Sequence, residues 1–537
     1  MRGLVHNMIK NKQITINYIK GEIVEKVELT DNFVFRLFEV YSNKTINKET
    51  DIFIKVFLPS DYNEAMGILN NGYKFNDVEY VPFLTSPSMM KKEEDGYKCQ
   101  YLFIKKKYEK FVNEFRKIVS LGNIDKLYKK DQICINKDIT ARLGLALSGS
   151  YQINHNPNVV ILGSDTYTHI ADYCTIKDGK LIEQDNVIKE FEFADGCGFM
   201  SDSMAQIIAE NMRVDYQIDF AVIRAYNGLA TKGLVVRCDW NKYFEENYQQ
   251  TEYFEKREDG FYTKDYFGNW VNISKADLIL NTNMCKYAKL FKDEEFENIN
   301  DFINNKIKTE FSKYSNILNS LYVTKINKRQ PKEYTQINYQ VLNNVALVGD
   351  ELQQIQKDSF DYIKSIGDLE DIDKIKIMLG DLVNEEAETN EINATTKAHR
   401  LLQIDSNNIK LKTVKSMVRT MIEKKAHEIV CSPFVKGGFK YISIDPICYL
   451  NWIMTRDIET SRELQAGQLY VPRETGARVA TRNPLAVFSE VHRVELVKNE
   501  KLDKYFGHLT SELIFQNMAD NLSFVSSGAD KLFVCLK

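Results

Sequence analysis

The sequence lacks three features that would assign it to a class directly: a long apolar run, metal-spaced cysteines and an excess of positive charge. No apolar run reaches the roughly 18 residues of a membrane helix, and no apolar segment precedes a small-residue cleavage site near the N-terminus. The 71 Lys and Arg residues are balanced by 75 Asp and Glu residues. We therefore expect neither membrane insertion nor secretion, and any nucleic-acid surface must be a local patch.

The cysteines do not form a zinc-binding pattern. Nine of them are scattered along the chain, without a Cys-x-x-Cys or Cys/His spacing, and no His-x-x-x-His pair occurs. We interpret the cysteines as reduced thiols of a cytoplasmic protein. With 537 residues, 44% hydrophobic and 27% charged, the chain is long enough for several globular domains.

Hydrophobic patterning divides the chain into four regions, which predict an α+β fold. In residues 1–150, ITINYIKGEIVEKVEL, FVFRLFEVY and DIFIKVFL alternate as strands, and helical spacing follows at 101–120. Residues 151–285 again predict strands, separated by Gly and Asn. Residues 286–428 have few glycines and predict a helical connector. Residues 429–537 return to short strands and turns, so two β-rich blocks flank the connector.

One motif predicts a strand, a glycine turn and a helix. It is FEFADGCGFMSDSMAQIIAENM at 191–212, where Ser201 or Ser203 is placed to cap a helix whose apolar side includes Ala205, Ile208 and Met212. On local evidence alone, Asp195-Gly196 is an ordinary tight turn.

Two further motifs carry cations beside residues that constrain the backbone. Arg224 and Lys232 flank a glycine-containing loop between apolar strands, and a Lys-Gly pair at a strand start can approach a phosphate closely. Arg482 precedes Asn-Pro at a strand end, and its planar guanidinium suits phosphate or ribose oxygens. The structural alternatives are a solvated hairpin lysine and a simple turn.

Taken in order, these motifs resemble those of the single-subunit, two-barrel RNA polymerases, which include the RNA-dependent RNA polymerases of RNA silencing and related phage enzymes. Phe199 departs from the pattern, because a basic residue is usual there. The segments that carry the resemblance are FLTSPSMMKKEE (83–94), ITARLGLALSGS (139–150), ADGCGFMSDSMA (194–205), IRAYNGLATKG (223–233), NMCKY (283–287), INYQVLNNVAL (337–347) and VATRNPLAVFSEV (479–491).

The resemblance implies two double-psi β-barrels, one in 151–285 and one in 429–537, facing each other across a cleft. It implies a template-dependent polymerase that binds nucleic acid and NTPs and uses Mg²⁺. Lys232, Arg482 and Asp530 would be catalytic, Arg224, Lys232 and Arg482 would bind substrate, and Asp530 would hold the metal. A bacterial or phage source is expected, and the residues leave open whether the template is DNA or RNA.

The family's Asp-x-Asp-Gly-Asp motif is matched only at its first acid, Asp530, because Lys531 takes the next place. We therefore expect an incomplete second barrel and a poorly packed tail at 531–537. The alternative function is a catalytically silent nucleic-acid-binding remnant, or a subunit that needs a second polypeptide to complete its active site.

A basic helix is predicted independently of the family. In IKLKTVKSMVRTMIEKK (409–425), Leu411, Val414, Val418 and Met421 lie at helical spacing, with the lysines and Arg419 mostly elsewhere. The segment is either a surface helix packed by its apolar stripe or a helix that lines a nucleic-acid cleft.

Overall fold

The chain has an α+β fold in its computed structural model, as the sequence predicts at that level. None of the helices in the part that the structure describes is long and apolar enough to cross a membrane. The described residues are 11–86, 89–93, 96–128, 135–331, 334–337, 339–344, 348–385, 394–465, 467–482, 491–517 and 531–536.

The N-terminal region is a sheet with helices packed on it. The sheet order is β2-β1-β3-β7-β5-β4, with β6 beside β7, for strands β1 (Gln13–Lys20), β2 (Ile23–Thr30), β3 (Glu49–Leu58), β4 (Tyr73–Phe75), β5 (Val78–Leu84), β6 (Met90–Glu93) and β7 (Gly96–Lys105). The helices are α1 (Phe33–Ser42), α2 (Tyr62–Asn71), α3 (Lys110–Val119), α4 (Asp125–Tyr128) and α5 (Arg142–Gly144).

The predicted strand FVFRLFEVY is wrong, because these residues form helix α1. Asn32 caps the helix, with its Oδ1 accepting the N–H of Phe35 at 3.2 Å. The six residues from Phe33 to Phe38 are all buried, and the one charged residue among them, Arg36, pairs with Asp31 at 3.1 Å. The rings of Phe33 and Tyr226 lie 4.9 Å apart, so α1 packs against the next sheet.

The central region is built on a seven-stranded sheet. Its order is β8-β19-β13-β14-β12-β18-β9, with parallel pairs β12–β14 and β18–β9, for strands β8 (Tyr151–Ile153), β9 (Val159–Leu162), β10 (Thr166–Lys177), β11 (Lys180–Glu192), β12 (Cys197–Met200), β13 (Phe220–Ala225), β14 (Thr231–Arg237), β15 (Phe254–Arg257), β16 (Gly260–Lys264), β17 (Trp270–Asn272), β18 (Leu278–Asn281) and β19 (Leu321–Ile326). Strands β10 and β11 form a separate ribbon, and β15, β16 and β17 form a three-stranded sheet. The helices are α6 (Asp202–Met212), α7 (Trp240–Asn247), α8 (Ile299–Glu310) and α9 (Ser315–Leu318).

Most of the central predictions are confirmed at the level of elements. Ser201 caps α6 by accepting the N–H of Met204 at 3.1 Å, and Ala205, Ile208 and Met212 are buried. The helical prediction for 286–428 is wrong at Leu321–Ile326, because this segment is strand β19 and pairs with β13. The segment contains β-favouring residues and pairs with β13 and β8, so its pairing in the sheet determines its secondary structure.

The remaining elements follow in chain order. The strands are β20 (Tyr334–Gln336), β21 (Phe434–Ile444), β22 (Gln468–Tyr470), β23 (Gly476–Arg482), β24 (Val491–Leu496), β25 (Leu513–Gln516) and β26 (Lys531–Leu536). The helices are α10 (Tyr339–Asn344), α11 (Gly349–Gly367), α12 (Ile372–Glu385), α13 (Ala394–Ile404), α14 (Lys412–Cys431), α15 (Pro446–Thr455) and α16 (Glu500–Phe506).

The chain divides into two compact units, 1–329 with 441–473 and 498–530, and 330–440 with 474–497 and 531–537. In the first unit, β25 pairs with β21 in parallel and with β22 in antiparallel orientation. In the second unit, the helices share a core that includes Val414 and Val418, as the spacing predicts, whereas Leu411 is 53% exposed.

The expectation that partners for Lys531–Leu536 are absent from this chain is wrong, whereas the side-chain packing of this tail stays a prediction. These residues form β26, which runs antiparallel along β23 in the second unit, with Leu532 opposite Arg482. A strand partner is therefore present within the chain itself.

Candidate functional site

Glycines bring three of the sequence motifs together around strand β14 in the first unit. At Gly233, a Cβ atom would lie 2.3 Å from Met284 Cε and 2.8 Å from the Gly196 carbonyl oxygen. At Gly198, it would lie 2.5 Å from the carbonyl oxygen of Ile279. Only glycine allows these backbones to approach so closely, so the Asp-Gly turn, the Lys-Gly strand start and the NMCKY turn form one cluster.

Asn281, which the sequence analysis missed, holds two of these turns in place. Its Nδ2 donates to the carbonyl oxygens of Ala194 and Cys197 at 2.8 and 3.2 Å. Its Oδ1 accepts the N–H groups of Asn283 and Met284 at 3.1 and 3.0 Å. The side chain is 1% exposed and fully satisfied. An asparagine that ends the apolar run LIL is the only sequence signal of this role.

Residues of the motif at 139–150 contact this cluster and hold it in place. Arg142 donates from Nη1 to the Lys286 carbonyl oxygen at 3.3 Å and forms an ion pair with Asp138 at 2.8 Å. Tyr226 donates to the Arg142 carbonyl oxygen at 3.1 Å, and burial raises its pKa well above the usual value, so its hydroxyl stays neutral. The motif at 139–150 therefore supports the motif at 283–287.

The motif at 139–150 also contacts the first motif, at 83–94. A Cβ atom at Gly144 would lie 2.2 Å from the carbonyl oxygen of Thr85, so the segments 83–86 and 139–150 are in contact. Five of the seven motifs, from 83 to 287, thus lie in one connected cluster of the first unit.

Arg224 and Lys232 lie directly opposite each other on β13 and β14. Arg224 donates from Nη1 to the Ile223 carbonyl oxygen at 2.8 Å, but its buried Nε has no hydrogen-bond partner among the described residues. Burial lowers the pKa of Arg224 from its usual value. The pair therefore places two cationic side chains on the same face of the sheet.

Phe199 takes the place of the basic residue that is usual in the family, and its surroundings are apolar. It is buried on β12 between β14 and β18, and its ring lies 5.2 Å from that of Tyr449. A charged side chain buried there would need a partner that these rings do not offer.

The two remaining predicted site residues are Arg482 and Asp530. Arg482 is the last residue of β23 in the second unit. Asp530 and the Asn-Pro that follows Arg482 lie outside the described residues, although Lys531, next after Asp530, begins β26. The predicted convergence of Lys232 with Arg482 and Asp530 stays a prediction.

The Mg²⁺ site also stays a prediction. Across the ranges that the structure describes, no group of three or more His, Cys, Asp or Glu side chains is arranged to hold a metal ion. These residues therefore do not by themselves form a divalent-metal cage, and we derive no metal-dependent step from them.

Three comparisons place the chain among known proteins. Residues 24–520 match the family model for RNA dependent RNA polymerase. None of the curated proteins matches the sequence. The structure is similar to the RNA-dependent RNA polymerase QDE-1 from Thielavia terrestris, with a TM-score of 0.53 and 11% identity, over 99% of this chain and 54% of that one. The chain thus spans about half the length of that polymerase, and the bacterial or phage source expected from sequence has no support from this eukaryotic neighbour.

Proposed function

Because the chain belongs to the RNA-dependent RNA polymerase family, we propose that it acts as a template-dependent RNA polymerase, with an RNA template and NTPs as its partners. We further propose two double-psi β-barrels, one at 151–285 with strand β19 and one at 429–537, with 1–150 preceding them and the mainly helical segment after β19 joining them. The seven-stranded central sheet, with its mixture of parallel and antiparallel pairs, supports the first barrel.

The observation that carries the proposal is the cross-strand pair of Arg224 and Lys232. In nucleotidyl transfer, the 3′-oxygen bonds to the α-phosphorus, the bond from that phosphorus to the bridging oxygen breaks, and pyrophosphate leaves. Two cations at a glycine-lined strand start can offset part of the charge of the triphosphate, and the pairing of β13 with β14 holds them in place beforehand.

Arg482 and Asp530 complete the proposed site on the strength of the family. Arg482 would contact the ribose or a phosphate through its planar guanidinium. Asp530 would be a ligand of Mg²⁺, which stabilises the leaving pyrophosphate when bound. The pairing of β23 with β26 supports this assignment, because Lys531, next after Asp530, begins the strand whose Leu532 lies opposite Arg482.

The test compares Lys232→Gln with Lys325→Gln, an exposed lysine on strand β19 of the same sheet. Binding of a nucleoside triphosphate and of the corresponding nucleoside is measured by calorimetry, and nucleotide incorporation is measured on an RNA template. Loss of a charge-assisted hydrogen bond of roughly 1.5–3 kcal/mol should weaken triphosphate binding about tenfold to a hundredfold and leave nucleoside binding unchanged.

Three outcomes decide between the functions. The polymerase is supported if the unaltered chain incorporates nucleotides, Lys232→Gln abolishes this activity and Lys325→Gln does not. Nucleic-acid binding without incorporation favours the silent binder or the subunit that needs a second polypeptide. Equal triphosphate affinities for the two variants would refute the phosphate role of Lys232.

A further inference from the structure

The three-stranded sheet of β15, β16 and β17 has one buried face and one partly exposed face in the first unit. Phe254, Phe261, Thr263 and Val271 point inward, and the rings of Phe254 and Phe244 of α7 lie 4.7 Å apart. The packed underside makes the sheet a rigid scaffold, because aromatic contacts at this distance fix side-chain orientation.

The partly exposed face carries rings and cations, together with Glu255 directly opposite Tyr262. Lys264 Nζ lies 5.7 Å from the centre of the Tyr253 ring and 5.4 Å from that of Trp270. The Arg257 guanidinium lies 5.6 Å from the Trp270 ring and 4.1 Å from the Tyr262 ring. We call Tyr253, Lys264, Trp270, Arg257 and Tyr262 the aromatic–cation ladder.

The ladder is held in place yet keeps polar groups available. Tyr262 donates its hydroxyl to Asp259 at 3.0 Å, and Asp259 also accepts from Lys275 at 2.6 Å. Among the described residues, Lys264 makes no ion pair, whereas Arg257 Nε pairs with Glu255 at 2.5 Å. A ring that is already fixed loses little entropy when a ligand stacks on it.

We propose that the aromatic–cation ladder binds single-stranded RNA by stacking bases on Trp270 and Tyr262, with a phosphate on Lys264. Aromatic rings interleaved with cations are the usual platform for unpaired bases. A duplex does not fit this mode, because its bases are stacked on one another and their faces are covered. The proposal rests on the proposed function, since a polymerase of this family must hold a single strand, but its site is separate from Lys232.

The chain provides its own reporter. It has three tryptophans, and two of them, Trp240 and Trp452, are only 2% and 3% exposed, so Trp270 is the one that a surface ligand can quench. Titration of the full chain with single-stranded oligouridylate should quench tryptophan fluorescence. Anisotropy of a labelled oligouridylate gives the affinity.

The decisive variant is Trp270→Leu, which keeps apolar volume but removes the stacking surface. Its matched control is Tyr62→Leu, because Tyr62 at the start of α2 is 73% exposed and far from the ladder in sequence. Trp270→Leu should weaken binding roughly fivefold to a hundredfold, and by the same factor at low and high salt, because stacking carries no charge. Tyr62→Leu should bind like the unaltered chain.

Lys264→Gln is a second variant that leaves the sheet interior intact. It should reduce the slope of log affinity against log salt by about 0.7, the value for one phosphate of a single strand. Unchanged affinity in Trp270→Leu together with an unchanged slope in Lys264→Gln would overturn the ladder. Equally tight binding of a duplex, or quenching by a proline-rich peptide but not by oligouridylate, would also overturn it.

The two proposals fail separately. Triphosphate binding that is insensitive to Lys232→Gln refutes the phosphate site but leaves the oligouridylate measurement standing. Oligouridylate binding that is insensitive to Trp270→Leu refutes the ladder, while triphosphate binding at Lys232 is untouched.

Discussion

At the scale of single residues, Asn281 joins two motif turns through four hydrogen bonds from one buried side chain. Asn281→Ala would leave buried N–H and C=O groups without partners, at about 1–3 kcal/mol for such groups. We therefore expect a loss of about 2–4 kcal/mol in the free energy of unfolding, measured by urea denaturation. The control is Asn304→Ala, because the Asn304 side chain accepts from the exposed Asn156 at 2.7 Å and its loss should change stability by less than about 0.5 kcal/mol. Equal losses in both variants would contradict this role.

Asp265 gives a pH-dependent prediction. Burial raises the pKa of the Asp265 carboxyl to about 6, although the N–H groups of Phe267 and Asn269, which donate to its Oδ1 at 2.9 Å, act to lower it. Its Oδ2 has no partner among the described residues. A folded-state pKa above the unfolded value of about 3.9 means that this carboxyl's stabilising contribution is full below that value and is lost as the pH rises through about 6. Asp265→Asn cannot ionise, so the difference in unfolding free energy between it and the unaltered chain should change between pH 4 and 7. A difference that is constant across that range would show that the pKa is not raised.

At the scale of elements, strand β14 depends on the glycine at its start. Gly233→Ala places a methyl group within 2.8 Å of the Gly196 carbonyl oxygen, so β14 or the Asp-Gly turn must shift. We expect a loss of about 1–3 kcal/mol, as for overpacked interiors, together with weaker triphosphate binding because Lys232 moves with the strand. Gly163→Ala is the matched control, since nothing lies within 4 Å of its added methyl group. Urea denaturation and calorimetry measure the two effects, and identical behaviour of the two variants would contradict the close approach.

The sequence predicts an element well where local signals and tertiary pairing agree. Helix α6 is such a case, because the Ser201 cap and the apolar spacing point to the same helix. Prediction fails where contacts with distant residues determine the secondary structure. The first six residues of α1 are all buried, so the alternation of residues there does not mark a solvent face. Segment 321–326 is a strand because β13 lies beside it. Strand β26 was missed for the same reason, since its partner β23 lies about 50 residues earlier in the chain.

At the scale of the whole molecule, the order of the motifs in sequence predicts their proximity in part. The motifs from 83 to 287 do lie together, and a glycine is at each close approach, which the sequence shows as Gly144, Gly198 and Gly233. The asparagine that joins the turns could not be found, because a single Asn has no distinctive pattern. The orphaned Nε of Arg224 was equally hidden, since burial depends on strands that are distant in sequence.

The last prediction concerns whether Lys232 and Arg482, 250 positions apart in the sequence, act on the same nucleotide. If both contact one triphosphate, the two residues share a partner, and Lys232→Gln and Arg482→Gln should have non-additive effects on its binding, with a coupling above about 0.5 kcal/mol. The control pair is Lys325→Gln with Arg482→Gln, whose effects should add within about 0.5 kcal/mol because Lys325 is not part of the proposed site. Calorimetric titration of the single and double variants with a triphosphate gives both coupling energies. Additive effects in the Lys232–Arg482 pair would place the two cations on different ligands, and the phosphate role would then belong to Lys232 and Arg224 alone.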